Sequence, residues 1–336
     1  MANIHDVAQR AGVSIATVSR MLSGENIRNR AAVEGAIAEL GYRPNASARG
    51  LRLGRHHTIA VIVPDIANPY FATLVRGIEE RVMTKGFRII VASSDEQFTA
   101  EREVLGGLID AVDAVAIVPA EASDRTHRML ADLGKPVVLI DRTVGDDPEF
   151  DLVHVDNAGG ARMAAEHLLS LGHRRIGIIS GRQETLPGQV RHKVFLDTLS
   201  SAGVQVEPED TKIGEFTRSF GERAAQEMIA ANTGITAVFV GNNTMAQGAL
   251  LSLHAAGVGI PGRLSFLCFD DFDLAELLPS PVTVISRPAI AEGHAAADLL
   301  LARIDDLETG RQRKFMHKVL PVALTVRQSC AAPATS

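Results

Sequence analysis

The stretch IHDVAQRAGVSIATVSRML, residues 4–22, reads as two short helices separated by a tight turn. Ile4, Val7, Ala8 and Ala11 recur at helical spacing, and Asn3 stands where an N-cap is needed. Gly12 ends this helix and permits the turn. Ser14 then caps a second helix whose Val18 and Leu22 face inward, with Val13 just before the cap. Helix, glycine turn, helix is helix-turn-helix geometry, in which the second helix enters the major groove with its first residues nearest the base edges. On that geometry Ile15, Ala16 and Arg20 face bases, while Thr17 and Ser19 reach phosphates and Ser14 completes the set. Arg20 suits the paired acceptors of guanine, and Ile15 or Ala16 a thymine methyl. A small helical bundle with an exposed arginine would show the same pattern.

Charge supports the nucleic-acid reading. Residues 1–57 hold eight Arg, no Lys and four acids, a charge of +4, leaving −10 on the rest of a chain whose formal charge is −6. A basic head on an acidic body is what a DNA-binding appendage produces. Downstream, YRPNASARGLRLGRHH (42–57) is basic and poor in large apolar residues, so it reads as a linker. Residues 1–44 are therefore expected to form the head and 45–57 a hinge.

From Thr58 the pattern changes to short apolar runs separated by amphipathic windows. TIAVIVP, FRIIVAS, DAVAIVP, KPVVLID, LVHVD, RRIGIIS, TAVFVG and LSFLCFD are the Val/Ile-rich runs of buried parallel strands. The expected fold class is α/β: an all-α head plus a core, residues 58–330, of two doubly wound parallel sheets. One lobe is expected over about 58–156 and 288–314, the other over about 157–286 and 317–330. No window approaches the ~20 consecutive apolar residues of a membrane span. Met1–Arg10 lacks the apolar run of a secretory signal, and two cysteines make no disulfide framework, so a cytoplasmic protein without membrane partners is expected.

Ligands of such sheets bind outside the carboxyl ends of the strands. Polar residues there are Asp65, Asp141, Arg142, Asn242 and Asp270, with Phe71 and Phe216 available to cover apolar sugar faces. The Asp270–Asp271 pair would also suit general acid–base or metal chemistry. No nucleophile motif, His pair at ligand spacing or phosphate cradle accompanies it, so no enzyme, cofactor or metal is expected.

DVAQRAGVSIATVSRML (6–22), ELGYRPNASARGLR (39–52), TIAVIVPDIANPYFATLVRGIE (58–79) and FDDFDLAELLPSPVTVISRP (269–288), in that order, resemble the lac-repressor/galactose-repressor family. The resemblance implies a homodimeric repressor on a palindromic operator, with a two-lobed core like periplasmic sugar-binding proteins and a small-molecule effector between the lobes. It implies a hinge helix from Asn45 that forms on DNA, where Leu51 wedges between base pairs and Arg49 and Arg52 suit phosphates. It carries effector binding to Arg191, Asp270, Asn242, Asp141 and Phe216, with Arg142 beside Asp141 and with Tyr70 and Phe71 bordering the cleft.

Two departures stand out. The segment SGENIRNRAAVEGAIA (23–38) is a few residues shorter than usual, which puts the phosphate contacts of Arg28 and Arg30 in question. Asn243 stands where the family generally has Asp, pointing to a different ligand environment. Three arginines near the cleft, Arg142, Arg191 and Arg287, lean toward an acidic or phosphorylated effector. The tail after Val326 has no leucine heptads, so a dimer is expected rather than a coiled-coil tetramer.

Overall fold

Asn3 closes a capping box with Asp6: its side chain accepts from the amides of His5 and Asp6, and its own amide donates to the Asp6 carboxylate at 2.8 Å. That box starts helix α1 (Ile4–Ala11), which Gly12 ends at φ 65°, a left-handed conformation that glycine adopts without strain. Helix α2 (Ile15–Leu22) follows, with the Thr17 amide donating to the Ser14 hydroxyl, and then α3 (Arg30–Leu40). Val7, Ala8, Val18, Met21, Val33 and Ala36 form the core of these three helices, and Arg10–Glu39 ties α1 to α3. Met21, rather than Leu22, is the more deeply buried residue of the last turn of α2.

This computed structural model describes residues 2–22, 25–42, 55–145 and 149–334. Asn45, Arg49, Leu51 and Arg52 lie outside the described residues. The chain divides into two compact units, Met1–His57 and Thr58–Ser336.

The second unit holds two six-stranded sheets. The first contains β1 (Thr58–Val63), β2 (Arg88–Ser93), β3 (Ala114–Ile117), β4 (Val137–Ile140), β5 (Asp151–Val155) and β11 (His317–Leu320), in the order β11-β5-β4-β3-β1-β2. The second contains β6 (Ile176–Ser180), β7 (Thr211–Ile213), β8 (Ala237–Val240), β9 (Ser265–Phe269), β10 (Thr283–Ser286) and β12 (Ala323–Thr325), in the order β12-β10-β9-β8-β6-β7. All pairings are parallel except β10 with β12. Burial on both faces explains the unbroken apolar runs: β3, β4, β6, β8 and β9 are buried at every position. The sheet helices are α4 (Pro69–Met83), α5 (Phe98–Leu108), α6 (Asp124–Ala131), α7 (Asn157–Ser170), α8 (Leu186–Ser201), α9 (Arg218–Ala231), α10 (Asn243–Ala255) and α11 (Ala289–Thr309).

Two strands, β7 and β10, were not anticipated. The expected placement of 317–330 wholly in the second lobe is corrected, because β11 pairs with β5 in the first sheet, His317 opposite Leu152 through Leu320 opposite Val155. The cause is Asp151, the first residue of β5. Its carboxylate takes a forked bond from Arg303 of α11 at 2.5 and 2.9 Å and accepts the Met316 amide at 2.7 Å. Arg303 also holds the carbonyls of Arg313 and Lys314, so the chain leaving α11 is laid alongside β5. The chain thus passes between the sheets three times: at Asp156, at Arg287–Pro288 and at Pro321–Val322.

Candidate functional site

Each sheet reverses its winding at one point, between β1 and β3 in the first and between β6 and β8 in the second. The loops at the carboxyl ends of these strands enclose a cavity of about 630 Å³ whose lining comes from both sheets. Asp141 follows β4 and Asp270 follows β9, equivalent places in the two strand orders. Both have positive φ, 64° and 69°, a conformation that Asp tolerates better than most residues, and both are buried. Their amides continue the ladders to Val153 and Ile285.

Arg287, at the second crossing, joins these aspartates. It donates to Asp141 at 2.7 Å, lies 3.6 Å from Asp270, and holds Glu292 of α11 through Nε and Nη2 at 2.9 and 2.6 Å. Its guanidinium lies 3.9 Å from the ring centre of Tyr70, whose hydroxyl donates to Glu292. Burial opposes the charge on Arg287, but Asp141 and Glu292 outweigh it and hold the guanidinium well above its ordinary value. Burial likewise pushes the Asp141 carboxyl up, and Arg287, Arg191 and Arg142 overcome it, leaving that carboxyl below its usual range.

Arg191 comes from α8, which Thr185 caps. It donates to Asn157 and to the Gly241 carbonyl at 2.7 Å each and to Asp270 at 3.4 Å, and it stacks 3.6 Å from the centre of the Phe269 ring. Its Nη2 and Asp270 Oδ1 are buried without a hydrogen-bond partner. Asn242 caps α10 through the Met245 amide and lines the cavity. Phe216 also lines it, lying where a Cβ on Gly181 would meet its ring at 2.1 Å; only glycine leaves that space. Phe71 packs on Tyr70 with ring centres 4.8 Å apart.

The candidates Tyr70, Phe71, Asp141, Arg142, Arg191, Phe216, Asn242 and Asp270 therefore line one cavity. The lean toward an acidic effector does not follow from it. Arg142 makes a two-pronged bond to Glu96 at 2.6 and 2.7 Å, and Arg191 and Arg287 face Asp270, Asp141 and Glu292. No guanidinium of the three is left to balance a phosphate. Asn243 is not at the cavity wall. It exchanges amide hydrogen bonds with Asn68, the cap of α4, at 2.9 and 3.3 Å, joining the two sheets at the cleft. The paired acids also part company: Asp271 binds Arg327 at 2.6 and 2.9 Å, away from Asp270. Among the described residues no group of three His, Cys, Asp or Glu is placed to hold a metal ion.

Several lining residues escaped the sequence reading. Glu96 and Asp95 sit in a positive-φ turn beyond β2, and Arg182 follows β6. The polar run SSDEQ (93–97) at the end of a predicted strand carried the signal for the first two.

On the head, Ala16 and Arg20 are exposed on α2 and Ser14 precedes it, its hydroxyl 2.9 Å from that of Thr17; Ser19 is half-buried. Ile15 departs from expectation, because it is half-buried and packs on the head core. Arg28 is exposed, whereas Arg30 pairs with Glu34 one turn along α3.

Residues 3–45 match the model for bacterial regulatory proteins of the lacI family, and residues 165–330 that for a periplasmic binding protein-like domain. The transcriptional regulator CelR of Thermobifida fusca is 33% identical over 96% of both chains. The transcriptional repressor CytR of Escherichia coli K12 is 32% identical over 94% of this chain and 93% of its own. A solved CelR–cellobiose complex superposes with a TM-score of 0.75 at 31% identity, covering 98% of this chain and all of that one.

Proposed function

This chain belongs to the lacI family of bacterial regulatory proteins, and from that premise we propose that its head reads an operator while a sugar in the cleft sets its affinity for that DNA. It is a DNA-binding transcription regulator of the repressor class, working as a homodimer on a palindromic operator. Ser14, Ala16, Thr17, Ser19 and Arg20 present the reading surface, with Ile15 contributing an edge from its half-buried position. Asn45, Arg49, Leu51 and Arg52 form the hinge, Leu51 wedging into the minor groove and the arginines meeting phosphates.

The observation that carries the effector reading is the balance of the cleft. Arg142, Arg191 and Arg287 each face a carboxylate, while Arg142 Nε, Arg182 Nε, Arg191 Nη2 and Asp270 Oδ1 are buried without a hydrogen-bond partner. A neutral polyhydroxyl ligand, each hydroxyl both donor and acceptor, meets that requirement without displacing an ion pair. Phe216 and Phe71 offer faces to its C–H surface. CelR, whose complex holds cellobiose, supports the same class. The cleft is read as binding without turnover, since Glu96, Asp141 and Asp270 each face a guanidinium, and the protein as cytoplasmic. Binding shifts the population of lobe arrangements and with it the spacing of the hinges.

The test is selection of bound duplexes from a random DNA pool by the full-length protein, with and without cellobiose, ribose and a panel of neutral sugars. Recovery of a two-fold palindrome whose occupancy one sugar changes is the expected result. Binding with no sequence preference under every condition would overturn the proposal.

A further inference from the structure

Helix α5 carries a carboxylate with no solvent exposure, Glu101, on the side facing the cleft loops. One oxygen accepts the Ala120 amide at 2.8 Å, and the other is buried without a partner. Ala120 belongs to the loop leaving β3, and its carbonyl accepts Nη2 of Arg182 at 2.6 Å. Arg182 follows β6 of the second sheet, so that hydrogen bond spans the cleft. The same loop is held at Pro119 by Arg142, itself forked onto Glu96. One residue, Ala120, is thus gripped from within the first lobe by an anion and from the second lobe by a cation.

We infer that Glu101 is a positioning residue of the cleft, whose ionised carboxylate sets the Ala120 loop so that Arg182 can clasp it from the opposite lobe. The charged groups facing Glu101 are Arg142 from the loop after β4, Glu96 from the turn before α5, and Glu121 from the clasped loop itself, which pairs with Arg125 of α6. Burial pushes the Glu101 carboxyl up to about 7, against the opposing pull of the Ala120 amide and of Arg142, so the group changes charge near neutral pH. Ala120, Arg142, Glu96 and Glu121 all belong to the first lobe, as Glu101 does. What differs is the Arg182–Ala120 hydrogen bond, which only the clasped arrangement makes and which needs the loop that the ionised Glu101 holds at the Ala120 amide. The contact stands independently of the ligand; only its regulatory meaning rests on the effector reading above.

Hydrogen–deuterium exchange of the full-length protein without ligand, followed from pH 6 to 8 and corrected for intrinsic exchange, tests this. In the wild type, segments 118–121 and 181–188 are expected to gain several-fold protection together as pH rises through about 7. Glu101→Gln should remove that step from both segments. Arg182→Met should keep it in 118–121 and lose it in 181–188. A step confined to 118–121 in the wild type, or one that survives Glu101→Gln in both segments, would overturn the assignment. Because no sugar is present, an error in the effector class leaves every one of these outcomes unchanged.

Discussion

In the proposed function Arg191 serves the cleft and Arg20 the operator, and each is expected to fail in its own way when altered. Arg191 is held at Asn157, Gly241 and Asp270 and stacked on Phe269, a site that requires a planar fork rather than a point charge. Arg191→Lys should therefore weaken binding of whichever neutral sugar the wild type takes by about 10- to 100-fold, on the scale of one charged hydrogen bond (about 1.5–3 kcal/mol), and leave operator binding intact. Calorimetric titration checks the first and a gel-shift assay the second; an unchanged sugar affinity would remove Arg191 from the site. Arg20→Ala should cost about 1–3 kcal/mol on the preferred operator and relax selectivity at one base pair of each half-site. Equal weakening on all sequences would instead make Arg20 a phosphate contact.

Between helices, glycines decide how closely backbones approach. In the first lobe a Cβ on Gly293 would stand 2.3 Å from the Leu74 carbonyl, and one on Gly77 would stand 2.5 Å from that of Ile290, so α4 and α11 pack with backbone against backbone. In the second lobe Gly221 and Gly248 do the same for α9 and α10, against the carbonyls of Met245 and Arg218. Gly293→Ala should cost about 1–3 kcal/mol by forcing the helices apart, read as a lower denaturant midpoint. Wild-type stability in that variant would show that α11 shifts freely. These contacts were not legible in the sequence, because a glycine inside a helical pattern looks like a weak helix former until its neighbour is known. The long apolar strands were legible, since burial on both faces leaves unbroken Val/Ile runs. TKI of β7 is three residues long and half-exposed, too short and too polar for a pattern to register. Residues 317–330 are expected in one lobe, yet Pro321 divides HKVLPVALTV between two sheets, a split that the Asp151–Arg303 clamp explains. At the cleft, strand-end aspartates could be read directly. Glu96, Arg182 and Glu292, which hold Arg142, the Ala120 carbonyl and Arg287 around them, lie on other elements, and pairings between distant segments leave no trace in local periodicity.

Over the whole molecule, buried titratable groups pull in opposite directions as pH changes. Glu101 keeps its proton up to about 7 in the folded state against an ordinary value of 4.5, so the native chain binds more protons than the unfolded one across that window and is destabilised as pH rises through it. Burial lowers His167, His173 and His192 below 6.5; their contribution is fully present above 6.5 and is lost as pH falls below it. Glu101→Gln should remove the first trend and leave the second. Its stability should climb from pH 5 to 7 more steeply than that of the wild type and exceed it above pH 7. Denaturant titrations at intervals between pH 5 and 8 would show this, and parallel curves for the two proteins would refute it.

The three passages between the sheets carry a further consequence. Two bodies joined by one strand of chain can swivel and twist with little resistance, and small inputs are dissipated among many directions. Three links at Asp156, Arg287–Pro288 and Pro321–Val322 remove most of those freedoms, leaving bending or sliding as the soft coordinate. Arg287 stands in one of these links and touches carboxylates beyond both β4 and β9, so the tightness of the cleft and the angle of the joint are mechanically one variable. A signal entering at the cavity has few directions in which to be lost.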